Sequence, residues 1–462
     1  MKIHFKIKII RQIKFASTLA AVFLLTLVSV SAQKATTPRV KIAFQETTLK
    51  NGLRVITVED HTAPVVSQVI IYDVGSANER EGRTGFAHLF EHMMFKGTEN
   101  VKSMSEYLGL IMGNGGAIDA TTGSDMTSYF ETVPSNQLEL PLFLESDRMR
   151  GLSITQAGLD TERKVVQEER RMRVDNQPYA KSNQVLNELL YDNFAYKHDL
   201  IGSMDDLNAA SLEDIQNFFK TYYAPNNAVL VLVGDFKTAE ALAKVRKYFE
   251  DIPRQPEPKP VDLTEPEQKA ERRASVEDAL AQSPRVNVAF KTAQGNAPDF
   301  YALQILASVL GSGQSSRLYQ KMVKESEMVS NVNSFAGRQR GTGAFYVSAT
   351  LRSGKKTEDV EAAIYEQIEQ LQKEPMTDAE LQKAKNAFAF SFNSGLQRSL
   401  SRAISLGQFA VLYDDANLIN TLLEKITAVT SEDVRRVANK YLKPTNRTVV
   451  ITMPKAKAVA AK

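Results

Sequence analysis

The sequence predicts an α+β protein built from two homologous domains, each an α/β sandwich of one sheet and several helices. Its 462 residues exceed what one ordinary hydrophobic core accommodates. β-Rich runs alternate with longer helical patterns in both halves, which is typical of this layered architecture. The chain also repeats itself at a constant interval. Glu213, Asp214, Tyr222, Pro225 and Asn227 recur as Glu432, Asp433, Tyr441, Pro444 and Asn446, and each set leads into a β-rich run.

A proline-rich segment separates the two halves. It contains Pro253, Pro256, Pro258, Pro260 and Pro266, followed by a charged run over 267–273. Such a composition cannot pack a core and predicts an extended, semi-rigid linker. We therefore expect a first domain over 33–250, a linker over 251–283, a second domain over 284–455 and a tail over 456–462. The second domain contains no histidine, so a histidine-based metal site is expected once per chain.

The segment over 1–32 has the pattern of a secretory signal peptide. Five basic residues precede an almost wholly apolar run over 16–30, and Val30-Ser31-Ala32 supplies a small-residue cleavage site. An uncleaved membrane anchor is the alternative, but the apolar run is shorter than the ~20 residues that a span needs. We expect export to the periplasm, with Gln33 as the first mature residue and no stable membrane anchor.

The composition narrows the classes of function. The chain has no cysteine, so it can form neither a disulfide scaffold nor a thiolate metal site. Any zinc must be held by histidine and carboxylate, as in hydrolytic sites. The formal net charge of +3 becomes −2 when the five basic residues of the leader are removed. The mature chain thus lacks the positive charge that nucleic-acid binding requires.

The first half can be divided into elements in order. Asn51-Gly52 is typical of a hairpin turn, and 65–74 is predicted to be a strand. A helix is expected over 84–95 and a pair of strands over 117–133, followed mainly by helices to about residue 223. The helix over 84–95 carries the most informative motif of the chain.

His88 and His92 lie one turn apart on one face of this helix, where both imidazoles can reach the same metal ion. Glu91 projects beside them and could take a proton from a bound water. The order His-x-x-Glu-His over 88–92 is the inverzincin pattern. Because the whole chain has only five histidines, this spacing favours a metal site over coincidence.

A catalytic zinc needs a third protein ligand and one open position. The charged helical stretch over 161–171 offers Glu162 and Glu169, whose spacing places them on one helix face. A glutamate-rich run is also typical of a solvated helix face, and the residues alone leave that interpretation open. Glu168 is the rival of Glu169 for the role of ligand.

Together these motifs resemble the pitrilysin family of zinc peptidases. The resemblance covers nearly the whole mature chain and combines the histidine motif, the later Glu169, an internal duplication and a proline-rich linker. The matching segments are Leu49-Lys50-Asn51-Gly52-Leu53-Arg54-Val55, Gly85-Phe86-Ala87, Phe95-Lys96-Gly97-Thr98, Asp125 with Thr127 and Tyr129, Tyr222-Tyr223-Ala224-Pro225-Asn226-Asn227 and Ser315-Ser316-Arg317-Leu318-Tyr319.

The resemblance implies a pitrilysin-like metallohydrolase fold and one zinc ion per chain, bound by His88, His92 and Glu169. Glu91 would be the general base that deprotonates the attacking water. Glu162 would orient a ligand histidine. The implied function is that of a zinc metalloendopeptidase that hydrolyses unfolded peptides or small polypeptides in a chamber between two bowl-like halves. The alternative is a non-catalytic structural or assembly subunit on the same fold.

Asp119, Ala120 and Thr121 are the expected substrate-binding residues, because peptide backbone should add to the edge strand that carries them. The family usually has an asparagine where this chain has Asp119. The aspartate keeps an acceptor oxygen, loses the amide donor and adds a charge. It is either a neutral exchange or one that alters peptide contact and the basicity of a ligand histidine.

The second half departs from the family at two further positions. Active two-domain members carry an arginine and a tyrosine there that bind the substrate carbonyl, and alignment places Val323 and Ser330 at those positions. Neither side chain can donate in the same way to a developing oxyanion. Relatives of this length often work as dimers, some pairing a zinc-bearing subunit with a partner that supplies the Arg/Tyr pair. We expect this chain to be the zinc-bearing subunit of a dimer.

Overall fold

A computed structural model describes residues 41–455 of the chain. The predicted signal peptide over 1–32 and the predicted tail over 456–462 lie outside the described residues. The described part folds into two β-sheets that pack against helices, which confirms the predicted α+β class.

The first half of the chain forms the first sheet. Its strands are β1 (Gln45–Thr48), β2 (Arg54–Glu59), β3 (Val65–Tyr72), β4 (Ala117–Thr122), β5 (Thr127–Pro134) and β6 (Ala228–Gly234). They lie in the order β1-β2-β6-β3-β5-β4, in which β2 and β6 are parallel and the other neighbours are antiparallel. The hairpin from β1 to β2 turns through Gly52 at a φ of +93°, as Asn51-Gly52 predicted. Strand β4 forms one edge of the sheet.

The second half forms a sheet with the same plan. Its strands are β7 (Arg272–Asp278), β8 (Arg285–Thr292), β9 (Val329–Ala336), β10 (Gly343–Leu351) and β11 (Arg447–Pro454). They lie in the order β7-β11-β8-β10-β9, which reproduces the order β2-β6-β3-β5-β4 of the first sheet. The one parallel pair in this described sheet, β7 with β11, falls at the position of the parallel pair β2 with β6. The internal repeat of the sequence is therefore a repeat of topology.

Strand β7 lies within the range that the sequence assigns to the linker, and this corrects the expectation for 272–278. The strand sits at an edge of the second sheet, where β11 is its neighbour. Its side chains alternate between exposed and more buried positions, and most of them are polar or charged. A half-exposed edge strand of this composition has the same sequence pattern as a charged linker.

The helices pack on the faces of the two sheets. They are α1 (Phe86–Met93), α2 (Met104–Gly113), α3 (Glu139–Arg150), α4 (Gln156–Arg170), α5 (Ala180–Leu190), α6 (Phe194–Lys197), α7 (Met204–Ala209), α8 (Leu212–Tyr222), α9 (Thr238–Phe249), α10 (Pro298–Gly311), α11 (Thr357–Lys373), α12 (Asp378–Gly395), α13 (Ser399–Tyr413), α14 (Leu418–Ala428) and α15 (Ser431–Tyr441).

One helix from each half packs against the sheet of the other half. Helix α13 of the second half packs on β3 and β6, where its Leu406 joins Ile71 and Val231 in one hydrophobic core. Helix α5 of the first half packs on β7, β8 and β11, where its Leu186 joins Val450. The two helices occupy equivalent places in the repeat, because their first residues are separated by the same interval as the repeated motifs of the sequence. The halves therefore share their cores.

The repeated asparagines of the sequence fix equivalent corners. Asn227 donates through Nδ2 to the carbonyl of Tyr222, the last residue of α8, at 2.9 Å and to a carbonyl at the end of the adjacent strand. Asn446 makes the same two bonds, with Tyr441 at 2.7 Å. Each asparagine ties a helix terminus to the sheet, because the last carbonyls of a helix have no partner within it.

Candidate metal centre

The position and rotation of helix α1 determine where its two histidines point. Hydrogen bonds hold its first residues, and its apolar face is buried in the core. Gly85 precedes the helix at a φ of +82°, where a side chain would meet the carbonyl of Ile201. The carboxylate of Glu79 accepts hydrogen bonds from the N–H groups of Gly85 at 2.9 Å and Ala87 at 2.8 Å. This satisfies two of the free N–H groups at the helix start. Leu89, Phe90 and Met93 are buried in the core of the first half, so His88 and His92 point to the opposite side.

Helix α4 brings the glutamates of the charged stretch against this face. It packs along α1 and continues beyond Arg170 as a π-helical turn over Arg171–Asp175. Such turns are often found at functional sites, since they redirect side chains by a fraction of a turn. Glu162 lies in the middle of α4, and Glu169 lies near its end, just before the π-helical turn. Both carboxylates reach the histidines of α1.

His88, His92 and Glu169 converge on one point. One ligand atom from each of the three lies within 4.8 Å of the other two. Oε2 of Glu169 is 3.2 Å from Nε2 of His92 and 3.6 Å from Nε2 of His88. Ligands about 2.0–2.1 Å from a tetrahedral zinc ion are about 3.4 Å apart, so both distances from Glu169 are close to the spacing that zinc requires.

The neutral form of His88 and the orientation of His92 also suit a metal. Nδ1 of His88 is buried without a hydrogen-bond partner among the described residues, and burial together with the nearby His92 lowers the pKa of His88 to about 4. His88 is therefore neutral near pH 7, as a ligand must be. Nδ1 of His92 lies 3.2 Å from Oε2 of Glu162, which leaves Nε2 facing Glu169. The donor set of two imidazoles and one carboxylate fits a zinc ion.

Glu162 lies behind His92 and does not face the convergence point. Its second oxygen accepts a hydrogen bond from Lys96 Nζ at 2.8 Å. Burial opposes the charged form of Glu162, but the bonds to His92 and Lys96 outweigh it and lower its pKa. Burial likewise opposes protonation of His92, and the bond to Glu162 and the charge of Glu169 outweigh it and raise its pKa. A charged Glu162 holds the ring of His92 in one orientation.

Glu168 lies in the wall of the cavity around the site but is not one of the three converging residues. Its side chain is 58% exposed and pairs with Arg171 at 2.8 Å. Glu169 is 13% exposed, and Arg173 holds its second oxygen at 2.8 Å. Of the two rival glutamates, the structure thus brings only Glu169 to the histidines.

Glu91 lies in the same cavity as the three converging residues. This cavity has a volume of about 590 Å³, and its walls also include Asp119, Ala120 and Thr121 of β4. The hydroxyl of Thr122 donates a hydrogen bond to Oε2 of Glu91. Burial raises the pKa of Glu91, although the bond from Thr122 acts in the opposite direction.

Strand β4 runs past the metal centre with one side open. Among the described strands it pairs with β5 alone. Asp119 lines the main cavity and a second one of about 190 Å³, whose apolar wall is formed by Phe95, Met104, Leu108 and Ile118. Oδ1 of Asp119 accepts a hydrogen bond from the N–H of Ala120 at 2.9 Å. The aspartate that departs from the family pattern therefore faces the site.

Family models match both halves of this chain. Residues 54–203 match the model described as Insulinase (Peptidase family M16), and residues 209–388 match the Peptidase M16 inactive domain. The chain belongs to peptidase family M16. The M16 match over the first half contains the histidine motif and Glu169, while the match over the second half covers a part of the chain without histidine.

Individual relatives extend over most of this M16 chain. The zinc protease PqqE of Helicobacter pylori is 32% identical over 414 residues, which cover 89% of the chain and 93% of that protein. A probable mitochondrial-processing peptidase subunit beta of Arabidopsis thaliana is 27% identical over 417 residues, covering 86% of the chain and 76% of that protein. The crystal structure of a protease from Helicobacter pylori superposes with a TM-score of 0.86 at 31% identity and covers 90% of the chain and 100% of that structure.

A more distant structure shows the fold alone. The periplasmic protease PqqL from Escherichia coli superposes with a TM-score of 0.74 at 18% identity, over 91% of the M16 chain and 48% of that structure. Within residues 41–455 of the M16 chain, no helix combines the length and apolar character that a membrane crossing demands.

At the two departing positions, the second half of the M16 chain has one apolar side chain and one short hydroxyl that is already engaged in a hydrogen bond. Val323 is buried in the core of the second half. The hydroxyl of Ser330 donates to the carbonyl of Thr350 at 3.2 Å, within its own sheet. Neither residue supplies the arginine or tyrosine that the family resemblance leads one to expect.

Several residues of the site carried no separate signal in the sequence. Lys96, Thr122 and Arg173 each hold a carboxylate of the site, and Glu79 with His198 holds the start of α1. Lys96 and Arg173 follow His92 and Glu169 at the spacing of one helical turn, so helical periodicity could have suggested them. Thr122 and Glu79 are joined to the site only by the tertiary fold.

Proposed function

We propose that this M16 chain is an exported zinc metalloendopeptidase that hydrolyses unfolded peptides or small polypeptides. The observation that carries the proposal is the convergence of His88, His92 and Glu169 on one point, with Glu91 in the same cavity. A purely structural subunit has no need of all four groups. The names of relatives described as zinc proteases, including the Helicobacter pylori protein, support the assignment.

Each group has a distinct task in this proposal. Zinc held by His88, His92 and Glu169 supplies a Lewis acid for the peptide carbonyl and for a water molecule. Glu91 takes the proton of the attacking water and passes it to the leaving amine. Thr122 holds one oxygen of Glu91, which leaves the other oxygen to carry that proton. The raised pKa of Glu91 makes its protonated form more accessible, as a shuttle requires.

We propose that the substrate binds along the open side of β4. An extended peptide can add there as a further strand, with its backbone beside Asp119, Ala120 and Thr121. Folded proteins cannot present a free extended segment of this kind, which favours unfolded peptides. Addition to the edge would place the scissile carbonyl between Glu91 and the three ligands.

A dimer completes the proposal. The first domain, over 33–250, carries the metal chemistry, whereas the second, over 284–455, lacks donors at Val323 and Ser330. We infer that a partner subunit, either a related chain with an Arg/Tyr pair or a second copy, supplies transition-state contacts. The related Arabidopsis thaliana protein is named as a subunit, which supports an assembly of this type.

The non-catalytic alternative rests on one observation. The buried Val323 and the internally bonded Ser330 leave the second half without oxyanion donors at these two positions. On this alternative the chain would be a structural subunit that retains zinc. The two functions predict different behaviour of the same variant.

The decisive experiment compares the wild type with Glu91→Gln on a quenched fluorescent peptide. We expect weak, chelator-sensitive cleavage by the zinc-loaded wild type and a loss of about 10²–10⁴-fold in the variant. Both proteins should bind one equivalent of zinc, measured by metal analysis after gel filtration. Glu240→Gln, a change of the same chemistry at an exposed position of α9 outside the cavity, is the matched control and should cleave like the wild type. Equal cleavage by Glu91→Gln would refute the assigned base.

Export and the dimer need measurements of their own. N-terminal sequencing of the protein from a periplasmic fraction should begin at Gln33. Light scattering should give a dimer mass for the active species, and addition of a subunit that bears the Arg/Tyr pair should raise the cleavage rate. Full activity of the lone monomer would contradict the subunit proposal while leaving the peptidase assignment intact.

A further inference from the structure

A second polar cavity, separate from the metal centre, lies against the sheet of the second half. It has a volume of about 600 Å³ and is enclosed by β8, β9 and β10 on one side and by α5 on the other. Its walls carry the amide side chains of Asn183, Asn187, Asn331 and Asn333. No aspartate or glutamate is found among the described residues that line it. Polar donors without acidic neighbours are typical of sites for anionic groups.

One arginine, Arg285, faces this cavity without a carboxylate partner. It donates through Nε to Thr350 Oγ1 at 3.0 Å and stacks on the ring of Tyr179, with its guanidinium carbon 3.5 Å from the ring centre. Over the part of the chain that the structure describes, burial lowers the pKa of Arg285 and no carboxylate acts against it. Arg338 also belongs to the wall, but its guanidinium packs over the ring of Phe300 and donates to the carbonyl of Gly295 at 2.9 Å.

An unsatisfied buried donor belongs to the same wall. Asn287 is only 4% exposed, and its Oδ1 accepts a hydrogen bond from Ser348 at 2.7 Å. Its Nδ2 has no hydrogen-bond partner within the described part of the chain. A buried N–H group without an acceptor is destabilising, and a ligand oxygen that accepts its hydrogen bond removes that destabilisation. Arg285 and the side-chain amide of Asn287 can therefore both bind an oxygen of an anionic group.

The cavity adjoins the proposed substrate edge. Ser124 lies in its wall, two residues beyond Thr122, whose hydroxyl bonds Glu91. Two strand residues span about 7 Å. Asn183 and Asn187 of its other wall lie on α5, the helix that follows the π-helical turn after Glu169. A peptide that extends along β4 past the metal centre therefore leads toward the cavity.

We propose that this cavity is a subsite for a carboxylate of the bound peptide. Arg285 pairs with the carboxylate, since a guanidinium donates two parallel N–H groups to its two oxygens. Asn287 Nδ2 donates to one of the same oxygens. The carboxylate belongs either to an aspartate or glutamate side chain or to the free C-terminus of the peptide. The inference rests on the proposed peptidase function and adds a preference for acidic peptides.

Binding measured apart from cleavage tests the subsite. Fluorescence anisotropy with the zinc-loaded Glu91→Gln protein would compare a labelled glutamate-containing peptide with its glutamine isostere, each with a free or an amidated C-terminus. We expect the preferred carboxylate to tighten binding at least about tenfold, and the preference to weaken at higher salt. Loss of the preference on amidation identifies the C-terminus, whereas loss on the glutamine exchange identifies a side chain.

Variants assign the preference to this cavity. Arg285→Gln and Asn331→Asp should each abolish the preference for the carboxylate while leaving the amidated glutamine isostere, which has neither carboxylate, bound as before. Asn331→Asp changes a single exposed group and should not alter packing. It therefore tests the subsite even if Arg285→Gln disturbs folding. Arg435→Gln, on the exposed face of α15, is the control and should keep the preference. Equal affinity for all four peptides, or a preference that survives both cavity variants, would overturn the subsite. Cleavage of the glutamine isostere by the wild type reports on the peptidase function independently.

Discussion

Nδ1 of His92 and Oε2 of Glu162 lie 3.2 Å apart, and Glu162 is in turn anchored by Lys96. Removing the charge of Glu162 should leave the ring of His92 free to turn and its Nε2 less basic. Glu162→Gln is expected to weaken zinc binding by about 10–100-fold. Competition with a chromophoric chelator at neutral pH measures this directly. Glu168→Gln serves as the control, and an equal loss in both variants would remove Glu162 from its proposed role.

The bond from Thr122 to Glu91 should set the acid limb of the pH profile. In Thr122→Val the buried carboxylate loses its donor, and its pKa should rise further. The pH below which cleavage declines should then move upward, because Glu91 must be deprotonated to accept a proton. The measurement is kcat/KM against pH, with zinc affinity determined in parallel. Thr122→Ser retains the hydroxyl and should have the pH profile of the wild type. An unchanged pH profile in Thr122→Val would show that Thr122 does not control the pKa of Glu91.

His198 should make the stability of the fold depend on pH. Its Nε2 lies 2.9 Å from Glu79, the residue that holds the start of α1. Burial opposes protonation of His198, but the bond to Glu79 outweighs it and raises the pKa above the ordinary 6.5. A raised folded-state pKa means that this stabilisation is complete below the unfolded-state pKa and disappears as the pH rises through the folded-state value.

His198→Gln should therefore lose about 1.5–3 kcal/mol of unfolding free energy at mildly acidic pH and less at alkaline pH. Urea unfolding in the presence of a chelator removes the competing effect of metal binding. His61→Gln, at an exposed position, is the control and should change little. A stability difference that is constant across this pH range would mean that His198 acts only by packing.

Gly407 allows the exchanged helix α13 to approach the first sheet closely. A Cβ atom on this residue would lie 2.7 Å from Cδ1 of Ile71 and 3.2 Å from Cγ2 of Val231. Gly407→Val should cost about 1–3 kcal/mol by overpacking this contact between the halves. The loss should appear as a lower urea midpoint of unfolding. Gly109→Val, in helix α2 with no described atom within 4 Å of the added Cβ, is the control and should not lower the stability of the protein. Equal unfolding midpoints for the two variants would show that the contact at Gly407 can accommodate the larger side chain.

The parts of the site that lie on one helix could be predicted from the sequence. His88, Glu91 and His92 are related by the fixed geometry of a helical turn, so their spacing already describes their arrangement. Glu169 lies far from this motif in the chain, and only the resemblance to a family separated it from a solvated glutamate. Thr122 lies in another element, and no local pattern connects it to Glu91.

The sequence did not allow us to predict which helix packs against which sheet. Periodicity indicates that α5 and α13 each bury one face, but it does not indicate against which sheet. The exchange of these helices therefore could not be predicted, although both belong to the internal repeat. Strand β7 has the composition of a linker because an edge strand needs one buried face only, and its other positions are free to be charged.

The exchanged helices have a consequence for the ancestry of the chain. A half-length protein with this plan would leave the sheet face beneath the missing helix bare, because its own helix reaches outward. Two identical copies related by a two-fold axis would cover both faces by mutual exchange. The duplicated chain has the arrangement that such a swapped dimer would have if its copies were joined covalently, and only one of the two halves carries the histidine pair.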